Sequence, residues 1–404
     1  LVSLTGNSFH VQDDAEPEGG LVRWVREGLV RVTVDEPTRL PDILTVSLHL
    51  RATPAEIACH LEGVTVVGVD HHFIVLNTGP KLHDFASSGH YLVHDTREEK
   101  LHLVPPIDLN EYREDFGRVP VIITGAGAGA SSDFLLALKH SLFVFTGNHN
   151  DNHWIRKERR LPGEVTEYSF RTDVSFPIHG GLACWVDLNL GIMLCDLRSD
   201  DPCVRFVPLP EDYGMISFAL LRGRPNVYST AGFVDGSLRL VYMDGYDDEE
   251  FPRDQVIIST WSYKGGLDIG EPGQQGEWVR EHGAAALRVG ELLADTSFRA
   301  VPGLPERVVY FFSSDLAFVD GHVATRGEHV LCLNMESKKV QSWRKCPPGR
   351  SFQLIPFLIG VELPVDPRFS DLYHQATSQL KHLICSIVYM NCNALMPETA
   401  FDEN

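Results

Sequence analysis

The chain has 404 residues, 43% of them hydrophobic and 22% charged, enough apolar mass for a large folded core. Thirty-five basic against fifty-five acidic residues give a formal charge of −20. That balance repels nucleic-acid phosphates and anionic lipid, so neither nucleic acid nor a membrane surface is expected as a partner. No apolar run approaches the roughly eighteen residues of a membrane span. The eight cysteines include no C-x-x-C pair, and most lie inside apolar runs such as LACWVDL and IMLCDL. Free buried thiols are the expectation, in a soluble intracellular protein of the cytoplasm and/or nucleus.

In chain order, residues 1–20 read as an N-terminal segment. From there to about residue 355 the apolar stretches are short, rich in β-branched and aromatic residues, and closed by Gly, Pro, Asn or Asp. LVRVTV (29–34), VTVVGV (64–69), HFIVL (72–76), VPVII (119–123) and LFVF (142–145) are strand-like by these signs. GSLRLVYM (236–243), QVIISTWSY (255–263) and ERVVYFF (306–312) continue the series. Turn signals separate them: NTGP (77–80), VDGS (234–237), MDGYDD (243–248) and VDGH (319–322). EHGAAALRVGELLAD (281–295) reads as a short helix. Residues 356–404 form a C-terminal extension, in which Phe369, Leu372, Tyr373, Ala376, Leu380, Leu383, Ile384, Ile387 and Val388 fall at three- and four-residue steps. That spacing predicts an amphipathic helix over about 368–390, with Ser370 and Asp371 as caps.

A repeat narrows the fold class. HYLVHDTREEKLHLVPP (90–106), GIMLCDLRSDDPCVRFVPLP (191–210) and HVLCLNMESKKVQSWRKCPP (329–348) share one plan. An apolar strand ends in Asp95, Asp196 or Asn334, a polar turn follows, and a second strand runs into prolines. The Asx side chain caps the turn, and the prolines stop the outer strand. Uneven spacing requires unmatched hairpins between the three. The expected fold is all-β and β-propeller-like, over residues 21–355. At roughly 45 residues per blade, that length makes six or seven blades.

Candidate chemistry is sparse. TGAGAGASSD (124–133) follows a strand with Gly125, Gly127 and Gly129, but a dinucleotide fingerprint needs G-x-G-x-x-G opening a helix. The following DFLLALKHSLFVF reads as strand, turn, strand, and no Walker Lys-Ser/Thr pair is present, so the glycines read as a loop. Histidines gather at Asp70-His71-His72, at His90 and His94 on one strand face, and at His149 and His153 around Asp151. Pairs fall short of the three or four converging ligands that a metal needs. There is no G-x-S-x-G elbow and no H-E-x-x-H pair. Asp247, Asp248, Glu249 and Glu250 read as a solvated loop without EF-hand spacing. No catalytic set, metal site or cofactor is expected. NHWIRKERR (152–160) is the one basic patch of an acidic chain. It reads either as a charged hairpin edge guarding against strand pairing or as a contact for an acidic partner anchored by Trp154, Arg156 and Arg159. Gly127, His149 and His153 complete the candidate binding residues.

GGLACWVDLNLGIMLCDLRSDDPCVRFVPLP (180–210) resembles the signature core of a plant family, expanded in grasses, known as domain of unknown function 1618. The resemblance rests on Trp185-Val186-Asp187, on Gly191 through Cys195 and Asp196, and on Phe206-Val207-Pro208-Leu209-Pro210. It is looser at 90–106 and at DFLLALKHSLFVFTGNHNDNHW (133–154), and it covers about 20–350. The stretch also looks like the propeller-type domains attached to plant F-box proteins. The family implies an intracellular plant protein and brings no catalytic residues. The expected function is a non-enzymatic protein-interaction scaffold that binds another protein through inter-blade loops. Two alternatives stay open: an enzyme with a composite site in the propeller channel, and a substrate-recognition module of a ubiquitin-ligase complex.

Overall fold

The computed structural model describes residues 2–4, 30–34, 44–50, 65–70, 72–77, 90–104, 120–124, 134–138, 142–146, 154–157, 170–178, 181–199, 201–211, 229–234, 236–245, 255–267, 276–281, 287–288, 308–319, 322–334, 339–345 and 387–391, with isolated positions between them. The described elements are almost entirely strands, and they form six sheets.

The first sheet holds β1 (Val2–Leu4), β2 (Val30–Val34) and β3 (Leu44–Leu50) in the order β1-β3-β2, with β1 parallel to β3. Three four-stranded meanders follow, each paired in chain order. They are β4 (Thr65–Asp70) to β7 (Lys100–Val104) through β5 (Phe73–Asn77) and β6 (Tyr91–Asp95), then β8 (Val121–Thr124), β9 (Phe134–Leu138), β10 (Phe143–Thr146) and β11 (Trp154–Arg156). The third is β12 (Val174–Ile178), β13 (Leu182–Asp187), β14 (Gly191–Asp196) and β15 (Val204–Pro208). The fifth sheet runs β16 (Ser229–Val234), β17 (Ser237–Asp244), β18 (Ile257–Lys264) and β19 (Glu277–Glu281), with β20 (Leu287–Arg288) also paired to β18. The sixth contains β21 (Val308–Val319), β22 (His322–Asn334), β23 (Lys339–Lys345) and β24 (Ile387–Asn391). Its order is β23-β22-β21-β24, with β24 parallel to β21.

The chain divides into two compact units. One comprises Leu1–Val186, Ile192–Val207 and Ile359–Pro364; the other comprises Asp187–Gly191, Pro208–Leu358 and Val365–Asn404. In the first, the β8–β11 sheet is covered on both faces. Ile122, Phe134, Leu136 and Phe145 pack on Val67, Phe73, Val75, Tyr91 and Val93 of the β4–β7 sheet. Their sequence neighbours Val121, Ile123, Ala137 and Val144 pack on Ala183, Trp185, Met193, Cys195 and Val204 of the β12–β15 sheet. Successive strand residues point to opposite faces, so burial on both sides demands unbroken apolar runs such as VII and FLLAL. The first strands also meet: the Thr124 amide donates to Asp70 Oδ2 (2.8 Å), and Ser175 Oγ donates to the Pro120 carbonyl (3.0 Å).

The repeated hairpins occupy one place in three sheets. β6–β7, β14–β15 and β22–β23 are the third and fourth strands, because parallel β24 fills the first position of the sixth sheet. β6, β14 and β22 end at Asp95, Asp196 and Asn334. Asp95 Oδ1 accepts from the amides of Arg97 (2.8 Å) and Glu98 (3.2 Å), and Asp196 Oδ1 from that of Arg198 (3.0 Å). These are the Asx turns that the sequence pattern requires.

Two helical expectations fall mostly outside the described residues, and their described ends are strands. Glu281 closes β19, and Leu287–Arg288 pairs with Ile257 and Ile258; residues 282–286 and 289–295 lie outside the described residues. Of the helix expected over about 368–390, residues 368–386 lie outside the described residues, and Ile387–Asn391 is strand β24. Ile387, Val388 and Tyr389 are β-branched or aromatic, and pairing with Tyr310–Ser314 outweighs a local helical spacing.

Candidate interaction surface

Of the basic stretch, Trp154–Arg156 form β11, the edge strand of the β8–β11 sheet; residues 152–153 and 158–160 lie outside the described residues. Its register sets Trp154 opposite Phe145, Ile155 opposite Val144 and Arg156 opposite Phe143. Alternation then splits the strand's roles. Trp154 is half-buried and turns inward, with its ring 5.5 Å from Phe145 and 6.3 Å from Tyr91. Burial raises the Tyr91 phenol beyond any physiological titration. Ile155 points the other way and is 44% exposed, and Arg156 is exposed as well. Lys157 bends across to the β14–β15 turn, where its ammonium donates to the carbonyls of Ser199 (2.8 Å) and Leu197 (3.2 Å).

The edge therefore presents an exposed apolar side chain on one face and, one residue on, an exposed guanidinium on the face of half-buried Trp154. A single exposed isoleucine is ordinary on any surface. Followed by an arginine on the same edge strand, in a chain of charge −20, it gives this edge apolar and basic residue types that are found at interface anchors. Ile155 was not among the residues singled out from sequence; its signal lay in alternation with Trp154. Arg159, His149, His153 and Gly127 lie outside the described residues.

The glycine run joins two neighbouring antiparallel strands, since Thr124 at the end of β8 is opposite Phe134 at the start of β9. A strand stands where a dinucleotide site would place its helix. The residues around the signature are structural in setting. Trp185 and Cys195 lie in the core between sheets, and Gly191 starts β14. Asp187 Oδ1 caps its own tight turn through the Asn189 amide (2.9 Å). Pro208 ends β15, and Pro210 follows it. Burial in the same sheet raises the Cys184 thiol well above the ordinary range. Gly181, at φ +90°, holds a backbone conformation that strains any L side chain, so the turn ahead of β13 favours glycine by its backbone, the nearby Arg198 side chain being free to shift.

Of the histidines near Asp70 and His90, His72 is in the turn before β5, His90 precedes β6, His94 is within β6, and His71 lies outside the described residues. His72 is buried, its Nε2 3.8 Å from Asp95 Oδ2. His90 and His94 are buried. Among the described residues no three His, Cys, Asp or Glu side chains converge as metal ligands, and no helix is long and apolar enough to cross a membrane.

One polar grouping was hidden in the sequence. Arg239 on β17, Ser262 and Thr260 on β18 and Glu281 on β19 share one face of the fifth sheet. Ser262 Oγ donates to Glu281 Oε1, and Arg239 lies 3.8 Å from Glu281 Oε2 with both side chains 15% exposed. Ser262 and Thr260 are buried. The carboxylate thus clasps three consecutive strands, while the serine hydroxyl is spent on it.

Residues 185–312 match the family model described as "Protein of unknown function (DUF1618)". The matched span runs from Trp185 in β13 to Phe312 in β21. No curated protein matches the chain. Among solved structures, the β-propeller domain of Cps50 (Swd1) from Myceliophteria thermophila is similar at 9% identity, covering 71% of this chain and 90% of that one, with a TM-score of 0.30.

Proposed function

We propose that the protein is a non-enzymatic interaction module of the β-propeller type that binds a partner protein inside the cell. The successive meanders serve as its blades. Support comes from the run of four-stranded antiparallel sheets and from the approach of first strands β4, β8 and β12 to one another, as expected of blades whose inner strands converge. The single observation that carries the binding role is the exposed Ile155 and Arg156 pair on edge strand β11. An acidic, partly apolar protein segment fits that surface.

The test compares the wild-type chain with an Ile155→Asp, Arg156→Glu variant in affinity purification and then in binding titrations with whatever is recovered. A stoichiometric partner whose affinity falls roughly 30-fold in the variant matches loss of a hot-spot pair. Recovery of no stoichiometric partner, or equal affinity for both proteins, overturns the reading.

A further inference from the structure

Two junctions in the first unit share a geometry: a cation from one sheet reaches the turn between the third and fourth strands of the next. At the first, Arg31 of β2 meets Glu99 of the β6–β7 turn at 3.2 Å, with both side chains largely exposed. At the second, Lys157 meets the β14–β15 turn through two carbonyls, those of Leu197 and Ser199. Among the described residues no carboxylate pairs with its half-buried ammonium, and one of its three N–H donors is uncommitted.

The two turns align on their capping aspartates. Asp95-Thr96-Arg97-Glu98-Glu99 matches Asp196-Leu197-Arg198-Ser199-Asp200, so Ser199 stands where the first turn carries Glu98, and Asp200, outside the described residues, where it carries the paired Glu99. Its hydroxyl is at the surface, donating to the Asp201 carbonyl at 3.0 Å. Asp200 and Asp201 follow it directly, and serine followed by aspartates is the substrate chemistry of acid-directed serine kinases.

We propose that Ser199 is a phosphorylation site whose phosphate is held by Lys157, adding an anion to a junction whose ammonium is met by carbonyls. Ser199 Oγ attacks the γ-phosphorus of ATP in the kinase. The Oγ–P bond forms, the bond from that phosphorus to the β–γ bridging oxygen breaks, ADP leaves, and the hydroxyl proton passes to the kinase's base. The hydroxyl's bond to Asp201 is lost. In exchange the phosphate oxygens, two bonds beyond Oγ, come within reach of an ammonium already 2.8 Å from the same residue's carbonyl. The result is a charge-assisted bond between the β8–β11 and β12–β15 sheets. Asp200 and Asp201 oppose the new charge, so Lys157 decides the sign of the effect. This inference does not depend on the partner-binding reading of Ile155 and Arg156.

The experiment treats the full chain with ATP and an acid-directed serine kinase, maps the phosphate by tandem mass spectrometry, and compares melting temperatures. Wild type is expected to carry phosphate at residue 199 and to melt about 2 °C higher than its unmodified form. A Ser199→Ala control should show no rise. Lys157→Gln, compared with and without phosphate so that its own folding defect cancels, should also show none. Absence of phosphate at Ser199 while a control acidic peptide is modified overturns the proposal. So does an equal temperature change in wild type and Lys157→Gln. Inorganic phosphate producing the same Lys157-dependent rise in the unmodified chain would reassign the site to a free anion.

Discussion

The β8–β11 sheet of the first unit and the β16–β20 sheet of the second begin from the same four-stranded meander and differ in what their faces carry. Both faces of the first are apolar and covered, by Phe134 and Phe145 on one side and Ala137 and Val144 on the other. The second buries Leu238, Leu240, Trp261 and Tyr263, but its opposite face holds Arg239, Thr260, Ser262 and Glu281 among Val241 and Met243. One sheet is held by area removed from water, which has no preferred direction. The other adds a charge pair that is favourable only in one register of three strands. The first kind of sheet tolerates volume-conserving exchange; the second ties its strands to one alignment.

The largest expected effect separates the two by size of loss. Phe134 is buried, with ring centroids 5.3 Å from Phe73 and 6.3 Å from Phe145. Phe134→Ala should cost about 3–5 kcal/mol in denaturant unfolding, whereas Phe134→Leu should recover most of that. A cost under roughly 1 kcal/mol would mean the site is not core-packed. In the fifth sheet the signature is coupling. Arg239→Met alone and Glu281→Leu alone should each cost about 2–3 kcal/mol, because each removes one side of a nearly buried ion pair. The double variant should cost clearly less than their sum. Additive losses in the cycle would show that the pair does not act as a unit.

How much of this was legible depended on whether a contact leaves a local mark. Strands covered on both faces had to be continuous apolar runs, so FIVL, VII and LACWVD announced themselves. So did the turns, because Asp95 and Asp196 bond to amides two or three residues on. Edge strands were harder to read. VSFPI of β12 carries Pro177, and EWVRE of β19 alternates charge with Trp278 and Val279. Neither has an apolar run, and each is a strand because a neighbour supplies its bonds. Parallel β24 was unreadable for the same reason, since its partner β21 lies far away in sequence. Arg239, Ser262 and Glu281 meet only through register, which no spacing rule exposes. Trp154 and Arg156 stood out by residue type, while the exposure of Ile155 required knowing which face of β11 packs.

The smallest expected effect asks whether the first unit admits charge without a partner. His94 sits on β6, on the face opposite Val93, buried, with Nδ1 lacking a hydrogen-bond partner. Burial lowers its pKa most; the Lys100 backbone, Asp95 and Glu99 pull it upward, and Arg31 pushes it down, for a net shift below the ordinary value of 6.5. The unfolded chain therefore takes up this proton first as pH falls. Stability from keeping the imidazole neutral is fully present above 6.5, is lost as pH drops through that value, and stops falling below the lowered folded pKa. Protonation would also place a donor at Nδ1 where no acceptor waits. Urea unfolding of wild type and His94→Gln across this window should show a steeper acid loss in wild type. Parallel profiles would mean that the imidazole gains a proton in the fold as readily as outside it. Charge would then be tolerated in the first unit without the pairing that Glu281 and Arg239 supply in the second.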